Sequence, residues 1–112
     1  MTVTAKRLIS GAQLTDSAAP YYTAPAVTTA IVRVTQFSNP SNTPSAVTAW
    51  VVPAASTPTV ANQYLNQLVL SPGETYTSPE LSGVVLQAGD SIQAMASVNG
   101  TVVVMASGVE IT

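Results

Sequence analysis

The sequence predicts an all-β protein: a single jelly-roll-like antiparallel β-sandwich spanning residues 1–112. Three observations lead there. Val, Ile and Thr together number 35 of the 112 residues, and such β-branched side chains suit a pleated, half-buried surface. Turn-forming residues recur at short intervals between stretches that alternate apolar and polar, the spacing expected of a sandwich or barrel. No stretch sustains a helical period long enough to form a packed helix.

The strands follow in order. Residues 4–9 can form a first strand, and 17–25 make a connection rich in Pro and Tyr. Residues 29–37 are a strong strand, and 39–44, with Pro40 and Pro44, form a loop. Residues 46–52 are the next strand, stopped by Pro53, and 54–61 are a loop of small residues. The Leu/Val ending of 62–70 favours a strand there over a short helix. Segments 74–77, 84–87, 91–98 and 101–111 complete the set. Asn99-Gly100 joins the last two, and its ease at positive φ predicts a tight type I′ hairpin.

Alternation assigns the faces. In 91–98 the residues Ile92, Ala94, Ala96 and Val98 share the buried face. In 29–37 the expectation is Val32 and Val34 inward, with Ile31, Arg33, Thr35 and Phe37 outward. Trp50 shares a face with Ala46, Thr48 and Val52 and reads as core.

One motif occurs twice. Leu70-Ser-Pro-Gly-Glu-Thr-Tyr76 and Leu86-Gln-Ala-Gly-Asp-Ser-Ile92 share the pattern Leu-x-x-Gly-acid-hydroxyl-apolar. Pro72-Gly73 and Ala88-Gly89 suit the centre of type II turns. Glu74 and Asp90 are placed to accept hydrogen bonds from nearby turn amides. Two corners of a sandwich explain the pair better than a metal site does.

Composition limits the chemistry. Charged residues are 7% of the chain and hydrophobic ones 46%, against a usual charged share of about 25%. Ser and Thr, 27 in all, take the place of the missing charge. Such low charge fits either a hydroxyl-rich exposed surface or one covered by partner subunits. There is no His and no Cys, so the usual general base, the thiolate nucleophile and the best transition-metal ligands are missing. The five carboxylates, Asp16, Glu74, Glu80, Asp90 and Glu110, are dispersed singly. The expectation is a protein that is not an enzyme and uses no cofactor or metal. Three cations, Lys6, Arg7 and Arg33, cannot neutralise a run of phosphates, so neither nucleic acid nor an anionic membrane is an expected partner. No apolar run approaches membrane-spanning length or resembles a signal-peptide core, which predicts a soluble protein made in the cytoplasm.

Residues that could meet a partner are few. Lys6 and Arg7, followed by Leu8 and Ile9, form an N-terminal contact candidate. Tyr21 and Tyr22 are adjacent, so in an extended segment one packs inward and the other faces out. Ile31, Arg33 and Phe37 lie on the expected outward face of their strand. Together with the low charge, this clustering predicts a homotrimer or another small closed oligomer.

Several segments carry a resemblance. They are Tyr22-Thr-Ala-Pro25, Thr28-Thr-Ala-Ile-Val-Arg33 leading to Asn39, the two turn motifs, and the ending Ser107-Gly-Val-Glu-Ile111. In this order the chain resembles small virion structural proteins of tailed bacteriophages, nearest to the capsid decoration (cement) type. The resemblance implies a jelly-roll-like sandwich that forms trimers on the outer capsid surface. There it would bridge neighbouring capsomers, with the major capsid protein as partner. Proteins of similar pattern also occur in tails and fibres, which leaves a receptor- or carbohydrate-binding module as the alternative.

Overall fold

The computed structural model describes all 112 residues. Nine strands form: β1 (Val3–Gln13), β2 (Ala19–Thr23), β3 (Thr29–Ser38), β4 (Ser45–Val52), β5 (Gln63–Leu70), β6 (Thr75–Thr77), β7 (Val85–Leu86), β8 (Ser91–Ala96) and β9 (Val103–Ile111). The one helical element is a 3₁₀ turn at Val60–Asn62. The strands make two antiparallel sheets. The β1 sheet runs β1-β9-β3-β6, with β7 also on β3, and the β2 sheet runs β2-β8-β4-β5. This order is consistent with a jelly roll in which β6 and β7 share one strand's place. β1 lies at the edge of its sheet and pairs only with β9, from Val3 opposite Ile111 to Gln13 opposite Val103.

Alternation along the strands builds the core. Ile92, Ala94 and Ala96 of β8 lie opposite Val51, Ala49 and Val47 of β4, and pack in one cluster with Val104 and Ala106 of β9. Trp50 is buried, as expected, but lies opposite Gln93, so it belongs to the outer face of the β2 sheet. It stands outside the central cluster, on a strand that touches the 3₁₀ turn.

Four expectations are corrected. First, the Pro/Tyr-rich segment 17–25 holds a strand, β2, which pairs with β8. Pro20 hid it, and is tolerated because β2 is an edge strand with a register shift between Pro20 and Tyr22.

Second, Phe37 and Thr35 point inward, not outward, and both are fully buried. The cause is a bulge: Val32 faces Gly108 and Val34 faces Ser107, leaving Arg33 as an extra residue. The bulge keeps Ala30 and Val32 inside, turns Val34 out, and brings Thr35 and Phe37 in. Thr35 is carried into the core with its Oγ1 unpartnered.

Third, Asn99-Gly100 is not a hairpin. β8 pairs with β2 and β4, whereas β9 pairs with β1 and β3, so the turn crosses between sheets. A type I′ turn needs positive φ at both central residues, and here only Gly100 has it, at 76°. The Gly100 amide donates instead to the Leu14 carbonyl at 3.0 Å. Fourth, β8 ends at Ala96, and Val98, expected inside, is exposed.

The repeated motif forms two matching corners. The Glu74 amide donates to the Ser71 carbonyl and the Asp90 amide to the Gln87 carbonyl. Gly73 and Gly89 have φ of 80° and 89°, as the third residue of a type II turn requires. The acids close each turn, Glu74 Oε1 accepting from the Ser71 amide at 2.8 Å and Asp90 Oδ2 from the Gln87 amide at 2.9 Å. Each corner then docks on a residue that precedes a proline. Asn39 exchanges backbone bonds with Gly73 and Glu74, and Ala24 does the same with Gly89 and Asp90. The two X-Pro steps and the two turns are therefore one device used twice.

Candidate functional site

Four of the five carboxylates are committed to holding the fold. Glu74 and Asp90 close the corners, and Asp90 Oδ1 also accepts from the Ala54 amide. Glu80 accepts from the Tyr76 hydroxyl at 2.8 Å and from the Ser78 hydroxyl at 2.9 Å. Glu110 accepts from the Tyr22 hydroxyl at 2.6 Å and from the Lys6 ammonium at 3.2 Å. No group of three acids gathers in a way that could hold a metal ion. No helix is long and apolar enough to cross a membrane.

The Lys6–Glu110–Tyr22 cluster ties the two sheets together, because Lys6 and Glu110 belong to β1 and β9 and Tyr22 to β2. The Tyr22 hydrogen bond, and then the Lys6 ammonium, hold the Glu110 carboxyl below its usual range, outweighing the opposite push of burial. Burial first, and then the Glu110 carboxylate, push the Tyr22 phenol well above its ordinary value. A carboxyl whose pKa is lower in the folded chain stabilises fully above its unfolded pKa of about 4.3. That contribution disappears as pH falls through the lower folded value. Thermal unfolding from neutral to acid pH should therefore show the wild type losing more stability in acid than Glu110→Gln. Parallel profiles would mean the cluster is energetically silent.

The three cations lie together. Lys6, Arg7 and Arg33 all line one shallow depression of about 660 Å³, with Met105, Ser107 and Val109 of β9 between them. Two bulges shape it. Arg7 lies opposite Ser107 and Ile9 opposite Ala106, so Leu8 is an extra residue in β1. Arg33 is the extra residue in β3, on the other side of the same β9 segment. The β1 bulge turns Leu8 and Ile9 both inward, where both are buried. The β3 bulge turns Arg33 and Val34 both outward. Gly108 lets the strands meet here: a Cβ on it would lie 2.0 Å from the Ile31 carbonyl oxygen. Lys6 is paired with Glu110, and this is the one ion pair in the molecule. Arg7 and Arg33 are exposed and unpaired.

The face around them is apolar. Val3, Val34 and Val85 are 56%, 37% and 50% exposed. Ile31, Val109 and Ile111 lie between them, half-buried, with Ile31 opposite Val109 and Val85. The solvent side of an antiparallel sheet is ordinarily polar. This one carries valine and isoleucine on four neighbouring strands.

The structure thus gathers Lys6, Arg7, Ile31 and Arg33, although these residues come from two distant segments of chain. It sets the other candidates apart. Phe37 is in the core, and Tyr22 is buried with its hydroxyl on Glu110. The Tyr21 hydroxyl accepts from the Thr15 amide at 3.3 Å and lies 3.5 Å from the Gln13 carbonyl, steadying the end of β1. Sequence reasoning missed Val3, Val34, Val85, Ser107 and Val109. Alternation opposite Val104 and Ala106 would have found the last two. The fold and this face define a two-sheet all-β sandwich with an apolar, arginine-framed outer surface. No protein-family model, curated protein or solved structure matches the chain.

Proposed function

We propose that this chain is a structural virion protein that decorates a bacteriophage capsid and stabilises it by bridging neighbouring capsomers, attaching through the outer face of the β1 sheet. The observation that carries the reading is that apolar face, on a chain with only 7% charged residues. A clamp needs area and shape, not reactive groups, and low charge lets many copies sit side by side without repulsion. The resemblance to decoration proteins points the same way. Association as a homotrimer on the outer capsid surface belongs to the same proposal, since a closed oligomer also covers exposed sheet edges.

Copy number in purified particles tests it. Of the order of hundreds of copies per particle fits a shell lattice, whereas a few to tens fits a tail or fibre and favours a receptor- or carbohydrate-binding module. Val34→Asp and Val85→Asp change exposed side chains, so the variants should fold and yet fail to stay on particles. Wild-type protein should remain attached as salt rises from about 0.1 to 1 M, because few exposed ion pairs are available to be screened. Shedding of the wild type over that range would overturn the apolar clamp.

A further inference from the structure

We propose that Arg7 and Arg33 form a clamp for a carboxylate, an Asp or Glu side chain of the protein partner that seats on this face, held above Ser107. The inference rests on reading the face as a docking surface and names what the partner must present there.

The charge inventory leads to it. Of three cations, Lys6 is neutralised by Glu110, and the other two are exposed on one sheet face with no acid near enough to pair. No internal carboxylate pairs with them. Glu74, Glu80, Asp90 and Glu110 are held by turn amides or hydroxyls, and Asp16 makes no ion pair. In a chain with so little charge, two uncompensated guanidiniums at one place are a concentrated feature.

Geometry brings them together. Arg7 and Arg33 stand on β1 and β3, the two strands that flank β9, so their backbones are about 10 Å apart, twice the strand spacing. Side chains of that length can meet over the middle strand, where Ser107 offers a hydroxyl. Bulges re-aim side chains, and here one bulge adjoins each arginine. A guanidinium fork matches a carboxylate in two parallel hydrogen bonds. Val34, Val109 and Ile31 around it would exclude water once a partner seats, so salt would screen the pair less than an exposed one. The apolar frame favours a protein. A nucleic-acid backbone needs a longer run of cations and is repelled by the net charge of −2.

The test is an NMR titration of the full chain with two capped pentapeptides, Val-Ala-Glu-Ala-Val and its glutamine counterpart, and with inorganic phosphate. The Nε–H signals of Arg7 and Arg33 and the Ser107 amide should respond to the glutamate peptide roughly fivefold more strongly than to the glutamine peptide. In Arg7→Gln/Arg33→Gln, whose fold is not at stake because both side chains are exposed, the preference should vanish. Equal response to both peptides, or silent arginines while the Val34 and Val109 methyls shift, overturns the clamp and leaves the docking face standing. Tighter binding of phosphate than of the glutamate peptide also overturns it, by making this a phosphate site. If no signal responds, the clamp fails. The docking face is then judged separately, by whether Val34→Asp protein stays on particles.

Discussion

Gly108→Ala is expected to destabilise the protein by roughly 1–3 kcal/mol, towards the upper end of that range. The added Cβ would lie 2.0 Å from the Ile31 oxygen, 3.0 Å from its carbonyl carbon and 3.2 Å from Val32 Cα. These are backbone atoms, so no rotamer change relieves the contact. β3 must lift away from β9 beside the Arg33 bulge, opening the core above Ala30 and Val32. A lower urea midpoint with an unchanged slope would confirm a loss of stability without a change in the surface exposed on unfolding. The same displacement would move Arg33, so the variant should also lose the glutamate preference. An unchanged midpoint would show that the bulge yields at little cost.

Asn39→Ala should be as damaging, at roughly 2–4 kcal/mol. Asn39 is fully buried and all its polar atoms are engaged. Its Nδ2 donates to the Thr43 and Leu70 carbonyls at 2.8 and 3.0 Å. Its Oδ1 accepts from the Ser41 amide at 3.1 Å and the Ser41 hydroxyl at 2.7 Å. Its backbone bonds the Gly73-Glu74 corner. Alanine leaves the buried Leu70 carbonyl without this donor and frees the 40–44 loop. Asn39→Asp should be worse, because a carboxylate would face two carbonyl oxygens with nothing to donate. Denaturation gives the magnitude, and faster hydrogen exchange at Ser41 and Gly73 would localise it.

Asn39 shows why part of this molecule could be read from its sequence and part could not. Asn39-Pro40 was legible as a chain break, but its partners Leu70 and Gly73 lie some thirty residues away and nothing local names them. The alternation in Ile92–Ala96 was visible because that strand stays in phase. In Ala46–Val52 the period was legible but the face was not: Val47, Ala49 and Val51 turn to the central cluster, and Trp50 turns away from it. The two type II corners were visible too, because their Gly-acid chemistry is local. β3 misled because one inserted residue, Arg33, reverses the phase of all that follows, and an arginine inside a strand carries no mark of a bulge. Asn99-Gly100 misled for the opposite reason. Its local signal was strong, yet β8 and β9 each already had two neighbours in different sheets. The gathering of Arg7 and Arg33 was hidden for the same topological reason, since it depends on β9 lying between β1 and β3.

That placement of β9 also governs the order of events during synthesis. Within the sandwich β1 is made first, and its only ladder partner, β9, emerges after the other seven strands. Until β9 emerges, an eleven-residue strand with Leu8 and Ile9 at its middle has no backbone partner, and only Lys6 and Arg7 stand against its pairing with another nascent chain. Slowing the elongation of codons 91–111 should therefore raise the aggregated fraction, while leaving the stability of the finished protein unchanged. A sandwich whose first strand waits for its ninth closes only when β9 is out, and is most exposed to neighbouring chains just before that moment.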